Sequence, residues 1–269
     1  MNKKIVLIVS LILMSAFLLV GCSSKTASNS TAADPSDIKA IKDRGVLNVG
    51  VKADVPKFGL QDPKTGQIDG MEIDLARAIA KKILGDETKI KLTPVTAKTR
   101  GPLLDNGELD LVIATFTVTD ERKLSYNFSD PYFTDGVALM VKKDAGINSL
   151  KDLNGKKIGV AQSATSKKAI EDAAVPLGVK VSFLEFGTYP EIKTALDSGR
   201  VDCFSVDGAI LNGYLDDSTV ILADRFTPQN YGVASKKTNT ALAELVNGTV
   251  NDMKKSGDLD KLIQKWGIK

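Results

Sequence analysis

Histidine is absent from this chain of 269 residues. That removes the commonest general base near neutral pH and the commonest zinc ligand. A His-based hydrolase or zinc enzyme is therefore disfavoured before any motif is considered. Cysteine occurs twice, at Cys22 and Cys203, too few for a disulfide framework. Cys203 lies in the apolar run Val201-Asp202-Cys203-Phe204 and reads as a buried thiol. An excess of either charge is also lacking: 36 Lys and Arg against 33 Asp and Glu leave a net charge of +3. No broad basic field points to nucleic acid. The one long apolar run, residues 5–20, falls short of the roughly 20 residues that a membrane-spanning helix needs.

What is present begins at the amino end. A basic start (Met1-Asn2-Lys3-Lys4), the apolar run and a small residue before Cys22 form a secretory signal peptide. Leu19-Val20-Gly21-Cys22 resembles a bacterial lipobox. The resemblance implies that residues 1–21 are removed and that Cys22 carries acyl chains on its sulfur and new amino group. At roughly 0.8 kcal/mol per buried CH₂, two or three chains hold a protein firmly at a membrane. Cleavage would also remove Lys3 and Lys4, taking the net charge from +3 to +1. Residues 23–37 contain no large apolar residue, so residues 22–37 read as a flexible tether. The remainder is long for one simple domain and comfortable for two small lobes.

From residue 38 the chain alternates short β-rich runs with helical patterns, the signature of α/β organisation. A strand is predicted over 46–51. An amphipathic helix follows over 72–84, with Ile73, Ala76, Ile79 or Ala80, and Ile83 on one face. Strands are predicted over 90–95 and 109–115, the second apolar enough to be buried on both faces. A second set comprises strands over 157–160, 179–184 and 201–206 with helices over 166–174 and 189–197. The two sets share a local pattern. Leu104-Asp105-Asn106-Gly107-Glu108-Leu109-Asp110 matches Leu196-Asp197-Ser198-Gly199-Arg200-Val201-Asp202, each with a glycine placed to cap a helix. The echo reads either as common βα grammar or as two similar lobes. In the second case Thr115, Thr117 and Asp207 lie at strand carboxyl ends, where open α/β sheets bind ligands.

Further motifs carry a family resemblance. Gly70-Met71-Glu72-Ile73-Asp74-Leu75-Ala76 is similar to the signature of the family 3 solute-binding proteins, which serve polar amino-acid ABC importers. Phe116-Thr117-Val118-Thr119-Asp120-Glu121-Arg122-Lys123 and Phe128-Ser129-Asp130-Pro131-Tyr132 resemble that family's carboxylate-binding segment. The likeness runs in register from residue 38 to the closing Lys265-Trp266-Gly267. Lys98-Thr99-Arg100-Gly101-Pro102-Leu103-Leu104-Asp105-Asn106-Gly107 and Val160-Ala161-Gln162-Ser163-Ala164-Thr165 look closest to the aspartate/glutamate binders.

The resemblance implies a type II periplasmic-binding-protein fold, with two βα lobes joined by a two-segment hinge. Lobe one would hold residues 38–134 plus 232–269, and lobe two 139–227, with hinges at 135–138 and 228–231. The protein would be a monomer on the extracytoplasmic face of the cell membrane, passing aspartate or glutamate to an ABC permease. No cofactor or metal is implied. A neutral or amide amino acid, such as glutamine or cysteine, is the alternative ligand.

From the residues alone, Arg122 belongs to a solvated charged cluster; the resemblance makes it the arginine that pairs with the α-carboxylate. Thr117 would add a hydroxyl and a backbone N–H. Asp207, by itself a helix N-cap, would meet the ligand ammonium, with Thr115 a weaker partner. Lys52 stands where relatives that bind amide or basic amino acids often carry Asp. With Arg100 it would face a second carboxylate; by itself each is an ordinary exposed cation. Thr165, Tyr189 and Tyr231 would add hydrogen bonds or rim contacts. An aromatic ring that many relatives press on the ligand is replaced near Val55 by an aliphatic side chain. A cleft enzyme of the same fold would need an unpaired, shifted carboxylate, and Asp207 is already assigned to the ammonium.

Overall fold

The computed structural model describes residues 35–268. The expected signal peptide and acylated Cys22 lie outside these residues. So does most of the tether, although Ser36 and Asp37, assigned to its end, already belong to the first helix.

The chain runs α1 (Ser36–Arg44), β1 (Leu47–Val51), β2 (Asp54–Val55), β3 (Gly59–Gln61), β4 (Ile68–Asp69), α2 (Met71–Leu84), β5 (Ile90–Pro94), α3 (Arg100–Asp105), β6 (Leu111–Ile113), α4 (Asp120–Ser125) and β7 (Tyr126–Phe128). It continues through β8 (Phe133–Lys142), β9 (Lys157–Ala161), α5 (Ser166–Ala174), β10 (Ser182–Phe186), α6 (Tyr189–Asp197), β11 (Cys203–Asp207), α7 (Gly208–Asn212), β12 (Thr219–Ile221) and β13 (Phe226–Tyr231). It closes with β14 (Ala234–Lys236), α8 (Thr240–Ser256) and α9 (Asp258–Lys265).

Two larger sheets divide these elements. The first has the order β5-β1-β6-β14-β7, the second β10-β9-β11-β8-β12 with β13 also paired to β8. In each, the central strands run parallel, β1 with β5 and β6 in one and β9 with β10 and β11 in the other. The chain crosses from the first sheet to the second before β8 and returns after β13. Those two strands pair antiparallel, with Tyr231 opposite Phe133 and Gln229 opposite Asp135. The result is a two-lobed α/β protein.

Local sequence explains the main helix. α2 carries apolar side chains at Ile73, Ala76, Ile79, Ala80 and Ile83, all buried against the first sheet and α8. Full burial of each of the three isoleucines contributes about 1.5–3 kcal/mol. Gly85, at φ 73°, ends the helix and returns its N–H to the Lys81 carbonyl, as a left-handed cap requires. The signature's Asp74 accepts from Lys265 (2.7 Å) and from the Trp266 indole (2.8 Å). Two motifs at opposite ends of the chain thereby meet and fix the carboxyl-terminal return on lobe one.

The sequence echo is a structural one. Gly107 and Gly199 both take left-handed φ, 82° and 73°. Asp110 accepts from the Asn48 N–H (2.7 Å) and Asp202 from the Lys157 N–H (2.8 Å). Each aspartate stitches the start of its strand to the neighbouring parallel strand. Two strand expectations are corrected. β6 spans Leu111–Ile113 rather than 109–115, because the chain turns out of the sheet at Thr115, where φ is 44°. β10 starts at Ser182, because a 3₁₀ turn over Val175–Leu177 and a left-handed Gly178 delay it.

Candidate ligand-binding cleft

The carboxyl ends of β1, β6, β9 and β11 converge between the lobes. Lys52 follows β1, Thr115 and Thr117 follow β6, Arg100 opens α3, and Arg122 sits in α4. Thr165 precedes α5, Tyr189 opens α6, Asp207 ends β11 and Tyr231 ends the returning strand β13. The residues singled out from the sequence are thus gathered at one crevice. Lys52, Arg100, Thr115, Thr117, Tyr189, Asp207 and Tyr231 are all buried.

The lobes touch across this crevice. Arg122 Nη1 donates to the Thr117 carbonyl (2.8 Å) on its own side, and Nη2 to the Ser163 carbonyl (3.0 Å) on the other. The Thr117 and Thr165 hydroxyls, one from each lobe, both donate to Gln229 Oε1 at 2.8 and 2.7 Å. The Tyr189 N–H reaches Asp54 Oδ2 at 3.4 Å, and the Tyr214 hydroxyl donates to the Asp54 carbonyl. This is a closed arrangement. A cavity of about 730 Å³ opens at its Arg122 end, lined by Thr117, Arg122, Ser163, Thr165 and Gln229 among others.

Charge is concentrated behind that cavity. Arg100 Nη1 donates to the carbonyls of Ala114 (2.6 Å) and Thr115 (3.1 Å), and its guanidinium lies 4.0 Å from the centre of the Phe116 ring. Its Nε is buried without a hydrogen-bond partner. The same ring faces Arg122 at 4.8 Å. Burial, and then the field of Arg100, pull the Arg122 guanidinium down to about 9. Among the described residues neither arginine forms a salt bridge, and both donate to backbone carbonyls, so a carboxylate would add a charge-assisted partner.

Asp207 faces them from lobe two, 4 % exposed. Burial pushes its carboxyl up to about 7, against the hydrogen bond from Tyr231, which pulls it down. Asp135 adds to the rise, whereas Arg100 and Arg122 oppose it. A cation beside Asp207 would restore its ionised form.

Lys52 differs from expectation. It is not a free cation: Asp54 Oδ1 lies 2.9 Å from its ammonium, which also sits 4.6 Å from the centre of the Tyr189 ring. Burial lowers its pKa, and the Asp54 charge only partly restores it.

Sequence reasoning missed several residues of this site. Glu72, fully buried in α2, accepts from the Thr115 N–H (2.6 Å) and the Tyr132 hydroxyl. It holds Thr115 at positive φ, which costs a β-branched residue of order 1–3 kcal/mol. Burial raises the Glu72 pKa, and both hydrogen bonds oppose the rise. Glu72 stood inside a quoted motif, but periodicity reads its position only as helix. Asp54 and Gln229 carried no signal, because the Tyr189, Tyr214, Thr117 and Thr165 groups that bond them lie far away along the chain.

Comparison with known proteins places this geometry. The ABC transporter glutamine-binding protein GlnH of Bacillus subtilis (strain 168) is 41% identical over 98% of this chain and 97% of its own. A glutamine-binding protein of Geobacillus stearothermophilus is 44% identical over 84% of this chain and 89% of its own. The solved structure of an ancestral arginine-binding protein bound to glutamine superposes with a TM-score of 0.73 at 41% identity, covering 83% of this chain and 98% of that one. These relatives are binding proteins rather than enzymes, and the architecture is that of type II periplasmic-binding proteins. The expected closeness to aspartate/glutamate binders is corrected, since both of these sequence relatives are named for glutamine. Residues 47–269 match the bacterial extracellular solute-binding proteins, family 3, and the chain belongs to that family.

Proposed function

We propose that this protein is the capture component of an amino-acid ABC importer and that it binds a polar α-amino acid between its lobes. The observation that carries this reading is the meeting in one crevice of a buried Arg100, a half-buried Arg122 and, from the opposite lobe, a buried Asp207. An α-amino acid offers the complementary pair of charges at fixed separation. Arg122 would take the α-carboxylate, exchanging its Ser163 carbonyl for a bidentate pair. Asp207 would take the ammonium. Thr117 and Thr165 would leave Gln229 for the carboxylate, and Tyr189 and Tyr231 would wall the site, with Thr115 beside the ammonium. Closing around the ligand removes water, so each buried charge must find a partner.

The side chain would point to Arg100 and Lys52. Arg100 Nε is a buried donor without an acceptor, and an oxygen of a side-chain carboxylate satisfies it. That donor takes an oxygen from an amide as readily as from a carboxylate. Glutamine is the reading supported by the two glutamine-binding relatives and by the neutralisation of Lys52; an acidic ligand, glutamate or aspartate, is the second reading, its carboxylate serving the same donor. Basic amino acids fit neither reading, because their side chains would meet the buried Arg100 guanidinium.

Delivery to a membrane permease follows from the importer role, and acylation of Cys22 would keep the protein on the extracytoplasmic face as a monomer. The first test is thermal unfolding in the presence of L-glutamate, L-aspartate, L-glutamine and L-arginine. A ligand at 100 times its Kd adds about 2.7 kcal/mol of apparent stability. We expect the melt to rise with an acidic amino acid or glutamine and to stay put with arginine. A rise with arginine alone would overturn the assignment.

A further inference from the structure

We propose that Asp54 is a specificity-determining residue: by neutralising Lys52 it biases the side-chain end of the cleft toward an amide and away from a carboxylate. The inference rests on the amino-acid-binding function proposed above. The family resemblance puts a lysine beside the ligand side chain, where it would favour acidic ligands. The structure gives that lysine a counter-ion from its own loop, two residues on in Val51-Lys52-Ala53-Asp54.

Three features support this role. The Lys52 side chain is only 2% exposed, so its ammonium feels Asp54 at 2.9 Å with little screening by water. Its other side is covered by the Tyr189 ring. Glu72, the other carboxylate whose field reaches Lys52, already spends an oxygen on the Thr115 N–H and the Tyr132 hydroxyl. An acidic side chain entering here would meet an ammonium that is already paired, and would lie beside a second negative charge. A glutamine side chain brings an oxygen for Arg100 and no charge to repel.

Asp54 also sits where the lobes close. Its carboxylate accepts from the Tyr189 N–H at the start of α6, and its carbonyl accepts from the Tyr214 hydroxyl. The charge that tunes specificity is therefore felt in the closed form, the form that commits the ligand.

The test is titration calorimetry of L-glutamate and L-glutamine on the full chain, comparing wild type with Asp54→Asn and Asp54→Ala. The asparagine keeps size and an acceptor for the Tyr189 N–H and deletes only the charge. The ratio of glutamate to glutamine affinity is expected to rise about tenfold or more in Asp54→Asn, and in the same direction in Asp54→Ala. A ratio within about twofold of wild type in both variants, on the same scale, overturns the role. Equal weakening of both ligands means that Asp54 only fastens α6, and overturns it too. A wild type that binds neither amino acid overturns the binding function itself, and the inference with it.

Discussion

Asp207 carries the clearest consequence at the scale of a single residue. Its carboxyl is pushed up to about 7 in the closed cleft, chiefly by burial. A ligand ammonium pairs with the ionised form alone, so binding must lower that pKa. The sign follows: Asp207 holds its proton more tightly without the ammonium than with it, and affinity falls as pH drops through 7. One coupled proton sets the limit at about tenfold per pH unit. Calorimetry at pH 8, 7 and 6 should show this decline with proton release on binding, and Asp207→Asn should bind weakly with a flat profile. A flat wild-type profile would remove Asp207 from the ammonium site. Which side chains converge was legible in the sequence through motif position. Their present partners were not. Lys52 looked like an available cation because nothing in Val51-Lys52-Ala53-Asp54 says that the loop folds back to pair it with Asp54.

At the scale of elements, the turn into α2 is the most constrained. Gly70 packs so closely on the Phe58 carbonyl that a β-carbon would lie 2.1 Å from its oxygen. No rigid backbone can accommodate that contact. Gly70→Ala should displace the start of α2, and with it Glu72 and the left-handed Thr115 that Glu72 holds. We expect a loss of about 2 kcal/mol or more in denaturant unfolding, from strain at a special backbone position. Gly66→Ala, at an exposed left-handed turn where only the end of the Gln61 side chain comes within 4.0 Å, should cost less, about 1 kcal/mol. Equal losses would refute the close-packing argument. α2 and α6 were readable from their period and end signals, and α6 begins with Thr188 and Glu191 capping each other. β6 was read too long because an apolar run does not reveal where hydrogen bonding to a neighbour stops. Ala114 is as buried as Ile113, yet the chain has already left the sheet.

At the scale of the whole molecule, the two lobes share one connection made of β8 and β13. Gln229 lies on it and is bound by a hydroxyl from each side. We propose that this connection acts as a hinge that closes on a ligand. Ligand contacts confined to the closed form shift the equilibrium toward it by their differential affinity. The two-lobe plan was visible in the repeated βα pattern, because each lobe builds the same strand-stitching aspartate. The contacts between lobes were not visible, since they join residues with no common period. The ligand's identity was also beyond the pattern: the motifs suggested aspartate/glutamate binders, whereas two similar proteins are named for glutamine. The central claim is that arginine from one jaw and aspartate from the other grip the two ends of an amino-acid backbone. A crystal structure of the protein grown with L-glutamate or L-glutamine tests it most directly. The account predicts the α-carboxylate on Arg122 and the ammonium on Asp207, within one closed cleft. A ligand bound with neither group in contact would contradict it.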